Sequence, residues 1–273
     1  MNEKNEIKSA RVRLYDTNYG NFETQLYEQI RREAFGVDIG QNSWLTADEQ
    51  DKFIPWLNLS PRKHLLDVAC GSGGPALRIA EKTGCSLLGI DVHEQAISNA
   101  NSLAEQRSIK DRSRFQIVDA AIRLPFENDT FDAISCIDAI NHFPDRTEVI
   151  REWTRILKPG GRLLFTDPIT VTGCLSATEI AVRSSIGFFL FVPPGYDESV
   201  IAKSGLRLLW REDVTENMAI IAERRRVARD LRSSDLREIE GADTFEGQQE
   251  FLTVAARLAQ EKRLSRFVFV AEK

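Results

Sequence analysis

A glycine-rich stretch and a carboxylate that follows it have the types and spacing of a ligand site. The stretch Gly71-Ser-Gly73-Gly74 follows a short apolar run and precedes a helical pattern. Glycines at such a turn let the backbone bend tightly and approach a ligand without clashes from a Cβ atom. Asp91 lies twenty residues after Gly71, at the end of the next apolar run. In doubly wound folds a carboxylate at that position holds ribose hydroxyls.

The glycine pattern alone fits more than one cofactor. Residues 71–76 match the G-x-G-x-x-A fingerprint of NAD-binding loops, although a single match of this kind carries little weight. Asp67 lies inside the preceding strand, where an anionic pyrophosphate has no use for a carboxylate, but an α-amino group or the backbone of a folded loop could use one. Asp119 ends the third predicted strand and could accept a hydrogen bond from an adenine amino group, while the N–H of Ala120 serves a ring nitrogen. An NAD site stays open at this point.

Alternating strand and helix patterns from about residue 63 to 215 would position these residues. Short apolar runs predict five strands, at 64–69, 86–91, 115–119, 131–138 and 162–167. Periodic segments predict helices between them, at 75–82, 94–107 and 146–157. Such alternation is typical of βαβ units and a parallel sheet covered on both faces. We therefore predict an α/β fold with a doubly wound Rossmann-like sheet, mostly parallel with a C-terminal antiparallel strand, plus helical cap elements.

The chain is predicted to have four parts. These are an N-terminal helical lid at 1–60, the core at 61–215, a helical insertion or cap at 216–264, and the final strand of the core at 265–273. Two late apolar runs, 206–210 and 266–270, supply the last strands. The cap contains Glu223-Arg-Arg-Arg226 and Arg229, and a basic run with interleaved acids indicates a solvated helix face.

Composition excludes several functional classes. The 273 residues carry a net charge of −5, so the basic footprint of a nucleic-acid partner is not expected. A charged Met1–Lys8 and the lack of a run of about 18 apolar residues argue against a signal peptide and a membrane span. Four widely spaced cysteines without a CxxC pair predict no metal site and free thiols in the cytoplasm. A homodimer is a further expectation.

Four segments, taken together, resemble a known family. Leu65–Gly74 resembles the glycine-rich motif of class I S-adenosylmethionine-dependent methyltransferases, and Leu88–Val92 is similar to their acidic ribose-binding motif. Asp119–Asp132 resembles their adenine-binding segment, and Glu152–Arg162 the helix and turn before the fifth strand. The segments follow the family's order, and the likeness is to its small-molecule type, such as the sarcosine, phosphoethanolamine and ubiquinone-biosynthesis enzymes.

The resemblance implies S-adenosylmethionine as the cofactor and a role for each motif. Gly71 and Gly73 would let the loop meet the methionine part, with Asp67 beneath the loop. Asp91 would bind the ribose, and Asp119–Ala120 would hold the adenine.

Residues at the end of the fourth predicted strand complete the expected site. The resemblance implies that Ile137 and Asp138 face the methionine amino group. His142 follows, in the region where doubly wound folds bind ligands. We expect it to face the methyl acceptor as a base or orienting group, whereas His64 and His93 have structural positions.

The acceptor site is expected under the N-terminal lid. Residues 15–45 loosely resemble the segment that folds over cofactor and acceptor in small-molecule methyltransferases, although packing of amphipathic helices also explains their aromatics. The candidates for contact with the acceptor are Tyr15, Tyr19, Gln41, Trp44, Asp167 and Tyr196. The resemblance thus implies in-line methyl transfer to nitrogen, oxygen or carbon of a small molecule. An NAD-dependent oxidoreductase and a non-catalytic S-adenosylmethionine-binding protein are the alternatives.

Overall fold

A computed structural model describes residues 12–273, which form a seven-stranded sheet with helices on both faces. The strands are β1 (His64–Val68), β2 (Ser86–Asp91), β3 (Ser113–Ile117), β4 (Phe131–Cys136), β5 (Leu157–Val171), β6 (Arg207–Asp213) and β7 (Leu264–Glu272). Their order is β3-β2-β1-β4-β5-β7-β6. Strand β7 is antiparallel to both of its neighbours, and the other strands share one direction. The predicted fold class is confirmed.

The helices alternate with the strands through the core and then extend it at both ends. They are α1 (Leu14–Gly20), α2 (Gln25–Phe35), α3 (Ala47–Phe53), α4 (Gly74–Thr83), α5 (Glu94–Gln106), α6 (Arg146–Ile156), α7 (Ala177–Arg183), α8 (Tyr196–Lys203), α9 (Thr215–Asp230), α10 (Ser233–Glu240) and α11 (Ala242–Gln260). Short 3-10 turns lie at Ile54–Leu57 and Ile140–His142. The proposed limits of the four parts stay a prediction.

The alternation of side chains along each strand builds one core on each face of the sheet. Leu65 packs into one apolar cluster and Leu66 into the other, because successive side chains of a strand point to opposite faces. The central strands β1, β2 and β4 are largely buried on both faces, as a sheet covered by helices on both sides requires. This rigid sheet fixes where the loops at its carboxyl edge lie.

Every strand except β2 differs from its predicted limits, and the differences in β3 and β5 have a physical reason or a consequence for the site. Strand β3 ends at Ile117, two residues before the predicted end, so Asp119 lies in the loop that follows. Strand β5 begins at Leu157, which pairs with Phe131 before an irregularity in the register. Pro159 lacks a backbone N–H and cannot donate to a ladder, so the sequence around it indicated a turn rather than a strand.

The helical segments at the two ends of the chain pack together. A third apolar cluster contains Leu14 and Trp44 from the N-terminal part and Ile221 and Phe251 from helices α9 and α11. The side chains of Thr24 and Thr46 accept hydrogen bonds from Tyr27 N and Glu49 N, respectively, and thus cap helices α2 and α3.

The basic run in α9 differs from the prediction. Arg229 is 3% exposed and forms two hydrogen bonds with Glu240, and Arg225 turns toward Trp44. The two arginines are four residues apart and therefore share one helix face. The predicted solvated face is wrong for these two residues, whereas Arg226 pairs with Glu223 near the surface.

In the described part of the chain, no helix is long and apolar enough to cross a membrane. No group of three or more metal-ligating side chains occurs among residues 12–273. The four cysteines are free, and Cys70, Cys85 and Cys136 are buried. The expectation that Met1–Lys8 is not a signal peptide lies outside the described residues.

Candidate active site

A cavity of about 440 Å³ opens at the carboxyl edge of strands β1, β2, β3 and β4. Its floor comes from the loops that follow these strands, and α1 and the loop at 40–43 cover it from the N-terminal side. Pockets of this volume and place bind small ligands in doubly wound folds. The cavity brings together seven of the eight predicted cofactor residues: Asp67, Gly71, Asp91, Asp119, Ala120, Ile137 and Asp138.

Gly71 supplies the backbone shape that the loop after β1 needs. It has φ of +54°, and a Cβ atom there would lie 3.0 Å from the hydroxyl oxygen of Tyr19. Its N–H donates to Oδ2 of Asp91 at 2.9 Å. The loop is thus tied directly to the carboxylate predicted to bind ribose.

Gly73 has a packing role in addition to the one that the resemblance implies. The described residues that line the cavity include Gly71 and Ser72 but not Gly73. A Cβ atom at Gly73 would lie 2.8 Å from Ala100 Cβ and 2.9 Å from the Phe115 ring. Gly73 therefore lets the loop pack against α5 and β3, and its assignment to the cofactor stays a prediction.

Gly74, the last glycine of the stretch, has a packing role to which the sequence analysis assigned nothing. A Cβ atom there would lie 1.9 Å from the carbonyl oxygen of Ile39, so the N-terminal segment rests directly on the start of α4. The third glycine in the stretch was the available signal.

Asp91 is positioned to accept hydrogen bonds from a diol. Its Oδ2 accepts from Gly71 N and its Oδ1 from His93 N, each at 2.9 Å. A carboxylate offers about four lone-pair sites, so lone pairs remain for ribose hydroxyls. Asp119 lies exposed at the cavity's edge, and its Oδ1 accepts from Ala121 N at 2.8 Å; its assignment to the adenine stays a prediction.

Asp67 is a buried acid under the glycine loop. Its Oδ1 accepts from Ser135 Oγ at 2.5 Å. Burial raises the pKa of Asp67 to about 7, the Ser135 hydrogen bond works against this rise, and the charge of Asp91 adds to it. A cationic group in the cavity would favour the ionised form, and the α-amino group of methionine is such a cation.

Replacing Asp67 by Asn should remove a pH dependence of cofactor binding. We expect the affinity of the wild type for S-adenosylmethionine to rise as the pH increases from about 6 to 8, because Asp67 loses its proton in that range. D67N should bind more weakly, with a nearly flat profile, as measured by calorimetry. A raised carboxyl pKa costs stability at high pH, so D67N should unfold at a higher temperature than wild type at pH 8. Equal slopes for both proteins would contradict this role.

Asp138 links the cavity to the N-terminal lid. It has φ of +54°, and its carboxylate accepts from Trp44 N at 2.8 Å, from Thr166 Oγ1 at 2.7 Å and from Arg266 Nε at 2.7 Å. Arg266 also binds both carboxylate oxygens of Glu49. The assignment of Asp138 to the cofactor stays a prediction, and the structure adds that its carboxylate holds the lid.

At the other end of the cavity, His142 pairs with a tyrosine from the lid. Its Nδ1 lies 3.0 Å from the carbonyl oxygen of Phe188, so this nitrogen carries the proton and Nε2 is an acceptor. The Tyr15 hydroxyl, 2.8 Å from Nε2, therefore donates to it. Burial lowers the pKa of His142 to about 4, against the effect of the Phe188 hydrogen bond. The imidazole is neutral at physiological pH and can accept a proton.

Of the six predicted acceptor residues, the cavity brings together Tyr15 and Tyr19. The other four have protein partners elsewhere among residues 12–273. Gln41 accepts from Ile39 N, and Trp44 stacks on Phe251. Asp167 pairs with Arg146, and Tyr196 packs beside that same arginine.

His93 also lines the cavity, where the sequence analysis expected a structural role. Its ring packs against Tyr19, with ring centroids 4.8 Å apart. Asn42 and Ser43 from the lid line the cavity as well. The place of His93 at the cavity could have been predicted, because it follows Asp91 by two residues.

Comparisons with known proteins agree with this geometry. Residues 66–165 match the family model of a methyltransferase domain. The chain is 37% identical over 166 residues to methyltransferase GfsG of Streptomyces halstedii, a match that covers 59% of this chain and 58% of the relative. It is 30% identical over 241 residues to sterol 24-C-methyltransferase erg6 of Schizosaccharomyces pombe, covering 79% and 61% of the two chains. The chain thus spans less than two thirds of the length of these curated relatives.

Solved structures share the fold at low sequence identity. Phosphoethanolamine N-methyltransferase 2 of Haemonchus contortus, in complex with S-adenosyl-L-methionine, has a TM-score of 0.77 at 19% identity, covering 93% of this chain and 59% of the other. The [4+2]-cyclase SpnF has a TM-score of 0.74 at 22% identity, covering 96% and 97%. Likenesses at this level establish the architecture alone.

The fold is that of a Rossmann-like domain with a ligand-sized cavity at the carboxyl edge of its sheet. The family match identifies residues 66–165 as a methyltransferase domain, in agreement with the class I S-adenosylmethionine-dependent type that the sequence motifs resemble. The resemblance stated from the sequence motifs is confirmed, and so is S-adenosylmethionine as the cofactor.

Proposed function

We propose that this chain transfers the methyl group of S-adenosylmethionine to a nitrogen, oxygen or carbon atom of a small-molecule acceptor. One observation carries the proposal: a single cavity joins the nucleoside-type residues Asp91 and Asp119 to the Tyr15–His142 pair. A cofactor held by the first group would present its reactive end toward the second. The lid closes over both ends and limits the entry of water.

The residues of the cavity fit the parts of the cofactor. Free lone pairs of Asp91 suit the ribose hydroxyls, and the buried Asp67 suits a cationic amino group. When bound, S-adenosylmethionine supplies an activated methyl group on a sulfonium. The chain itself has to align the acceptor with that group and to exclude water.

The Tyr15–His142 pair can take a proton from an acceptor hydroxyl or amine. Nε2 of His142 accepts the Tyr15 hydroxyl proton, and the Tyr15 oxygen can then accept the acceptor's proton. The proton comes to rest on Nε2, while Nδ1 keeps its hydrogen bond to Phe188. A base near the reacting atom speeds such transfers by about 10²–10⁴-fold.

Replacing His142 by Ala should lower kcat by about 10²-fold or more, measured as transfer of labelled methyl from S-adenosylmethionine to acceptors from a screen of amines, phenols and keto acids. Y15F should show a similar loss, because it breaks the same proton path. His64 lies at the start of β1, remote from the cavity, so H64Q is the matched control. At saturating S-adenosylmethionine, the kcat of the wild type should fall as the pH falls toward 4, where His142 takes a proton. Near-normal turnover of H142A across this pH range would refute the proton path.

A second reaction class deserves a direct test because the [4+2]-cyclase SpnF has a similar fold, and fold alone does not establish methyl transfer. Mass analysis of the products separates the two: methyl transfer adds one methylene unit to the acceptor, whereas a cyclisation leaves the mass unchanged. Binding without any product would favour a non-catalytic cofactor-binding protein.

We also propose a homodimer in the cytoplasm with no nucleic-acid partner. The exposed apolar side chains of Ile220 and Val227 on α9 and of Leu231 just after it support a partner surface. The free cysteines suit a reducing compartment, and the net charge is −5. Analytical ultracentrifugation should show a dimer that a V227E/L231E variant converts to a monomer, and a monomeric wild type would contradict it.

A further inference from the structure

Arg183, the last residue of α7, is a buried cation inside an aromatic cage. It is 1% exposed. Its guanidinium carbon lies 4.3 Å from the ring centroid of Phe251, 5.5 Å from that of Phe189 and 5.9 Å from that of Trp44. Its Nε and Nη1 atoms are buried and have no hydrogen-bond partner within residues 12–273.

Arg225 places a second guanidinium on the same indole. Its guanidinium carbon lies 5.4 Å from the Trp44 ring centroid and 6.0 Å from that of Phe35. Its Nη1 makes one long hydrogen bond, 3.5 Å, to the carbonyl oxygen of Asn42. Arg183 and Arg225 thus flank Trp44 from two helices, and neither pairs with a carboxylate in the described part of the chain.

Arg183 is deeply buried and Arg225 is half-buried, whereas the other deeply buried arginines among residues 12–273 are all neutralised. Each of them has at least one carboxylate at hydrogen-bond distance; the pairs are Arg146 with Asp167 and Asp197, Arg229 with Glu240, and Arg266 with Asp138 and Glu49. A buried charge without a counter-ion is costly, and aromatic contacts return only part of that cost. Two unneutralised guanidiniums on one indole therefore indicate that their counter-ion is a ligand.

The two cations do not line the cavity themselves but lie behind residues that line its acceptor end. Phe189 packs between Arg183 and His142, with its ring centroid 4.9 Å from that of His142, and Ile186, three residues after Arg183, lines the cavity. Asn42, the contact of Arg225, lines it too. Burial raises the pKa of Tyr15, and the charges of Arg183 and Arg225 partly offset that rise. Both cations are thus within electrostatic reach of the hydroxyl that faces the acceptor.

We propose that the methyl acceptor carries an oxyanion, a carboxylate or a phosphate group, which enters between the lid and the cap and is bound by Arg183 and Arg225. This inference rests on the proposed function, because it names the class of acceptor for the same site. The planar guanidinium suits two-point binding of such an oxyanion. The anion would also offset the positive charge of the sulfonium cofactor beside two arginines.

Titration of the full chain, saturated with S-adenosylhomocysteine, tests this directly. The probes are benzoate, phenyl phosphate and the neutral benzamide. We expect one-to-one binding of at least one of the two anions and no binding of benzamide; the tighter anion identifies the acceptor's acidic group. R183M should weaken that binding by about tenfold to a hundredfold, and R183K by less. Arg207 is exposed and pairs with Glu272, so R207M should bind as the wild type does.

Two results would overturn the inference. One is binding of neither anion more tightly than benzamide, and the other is unchanged anion binding by R183M. Methionine suits an aromatic cage, and R183M also removes a buried charge, so its melting temperature should equal or exceed that of the wild type. If R183M does not fold, R225M takes its place, and unchanged binding by that variant overturns the inference equally. Failure of the proposed function is separate, since it would appear as no binding of S-adenosylhomocysteine or no methyl transfer to any acceptor.

Discussion

Replacing Arg266 by Met should lower the free energy of unfolding by about 3–5 kcal/mol. Arg266 is fully buried on β7 and lies 2.7 Å from both Asp138 and Glu49. Without it, two carboxylates would stay buried with no counter-ion, and burial already raises the pKa of Glu49. The loss is a large part of the roughly 5–15 kcal/mol that stabilises a typical domain. Urea unfolding of both proteins measures it.

The same variant should weaken cofactor binding, because Asp138 holds Trp44 of the lid. A compensating variant, R266M with E49Q and D138N, removes the stranded charges and should recover most of the stability. The exposed R207M is the control and should change stability by about 0.5 kcal/mol or less. A loss from R266M no larger than that from R207M would mean that this network does not hold the lid.

Replacing Asp91 by Asn should weaken binding of S-adenosylmethionine by about 30-fold to 1,000-fold, which corresponds to roughly 2–4 kcal/mol. Asp91 is 8% exposed and already holds two backbone N–H groups of the loops around the cavity. An amide can accept at one atom only, so either the loop or the ribose loses a partner. Calorimetry measures the change.

Glu94 is exposed on the first turn of α5. Its replacement by Gln is the matched control for D91N, because it removes one negative charge near the cavity. E94Q should bind the cofactor as the wild type does, and both variants should keep the wild-type melting temperature within a few degrees. If D91N bound as tightly as E94Q, Asp91 would not be the ribose ligand.

The fold and the cofactor end of the site followed from local sequence. Short apolar runs indicated the central strands β1, β2 and β4 because these are buried on both faces, and the step from Gly71 to Asp91 spans one βα unit. Contacts between residues that are distant in the sequence could not be predicted from local patterns. Arg266 and Glu49 are 217 residues apart. Position 73 has to be a glycine because Ala100 and Phe115, which belong to other elements, leave no space for a Cβ atom there.

In the cap, the charged composition suggested exposure, whereas the spacing of the residues indicated a buried helix face. The basic run in α9 indicated a solvated face, yet Arg225 and Arg229 follow Ile221 and Ala222 at helical spacing and share their buried face. The prediction relied on the charge of the segment, whereas the helical spacing of its residues was the better guide to burial. Trp44 is a related case, because its aromatic character indicated ligand contact, whereas its ring packs on Phe251 between two arginines.

Titration of the wild-type chain with S-adenosylmethionine and, separately, with NAD is the most direct test of the central claim. Asp67 and Asp91 in one cavity predict one-to-one binding of S-adenosylmethionine that D91N weakens strongly. They predict no binding of NAD, because a buried acid under the glycine loop disfavours a pyrophosphate there. Binding of NAD but not of S-adenosylmethionine would contradict the account.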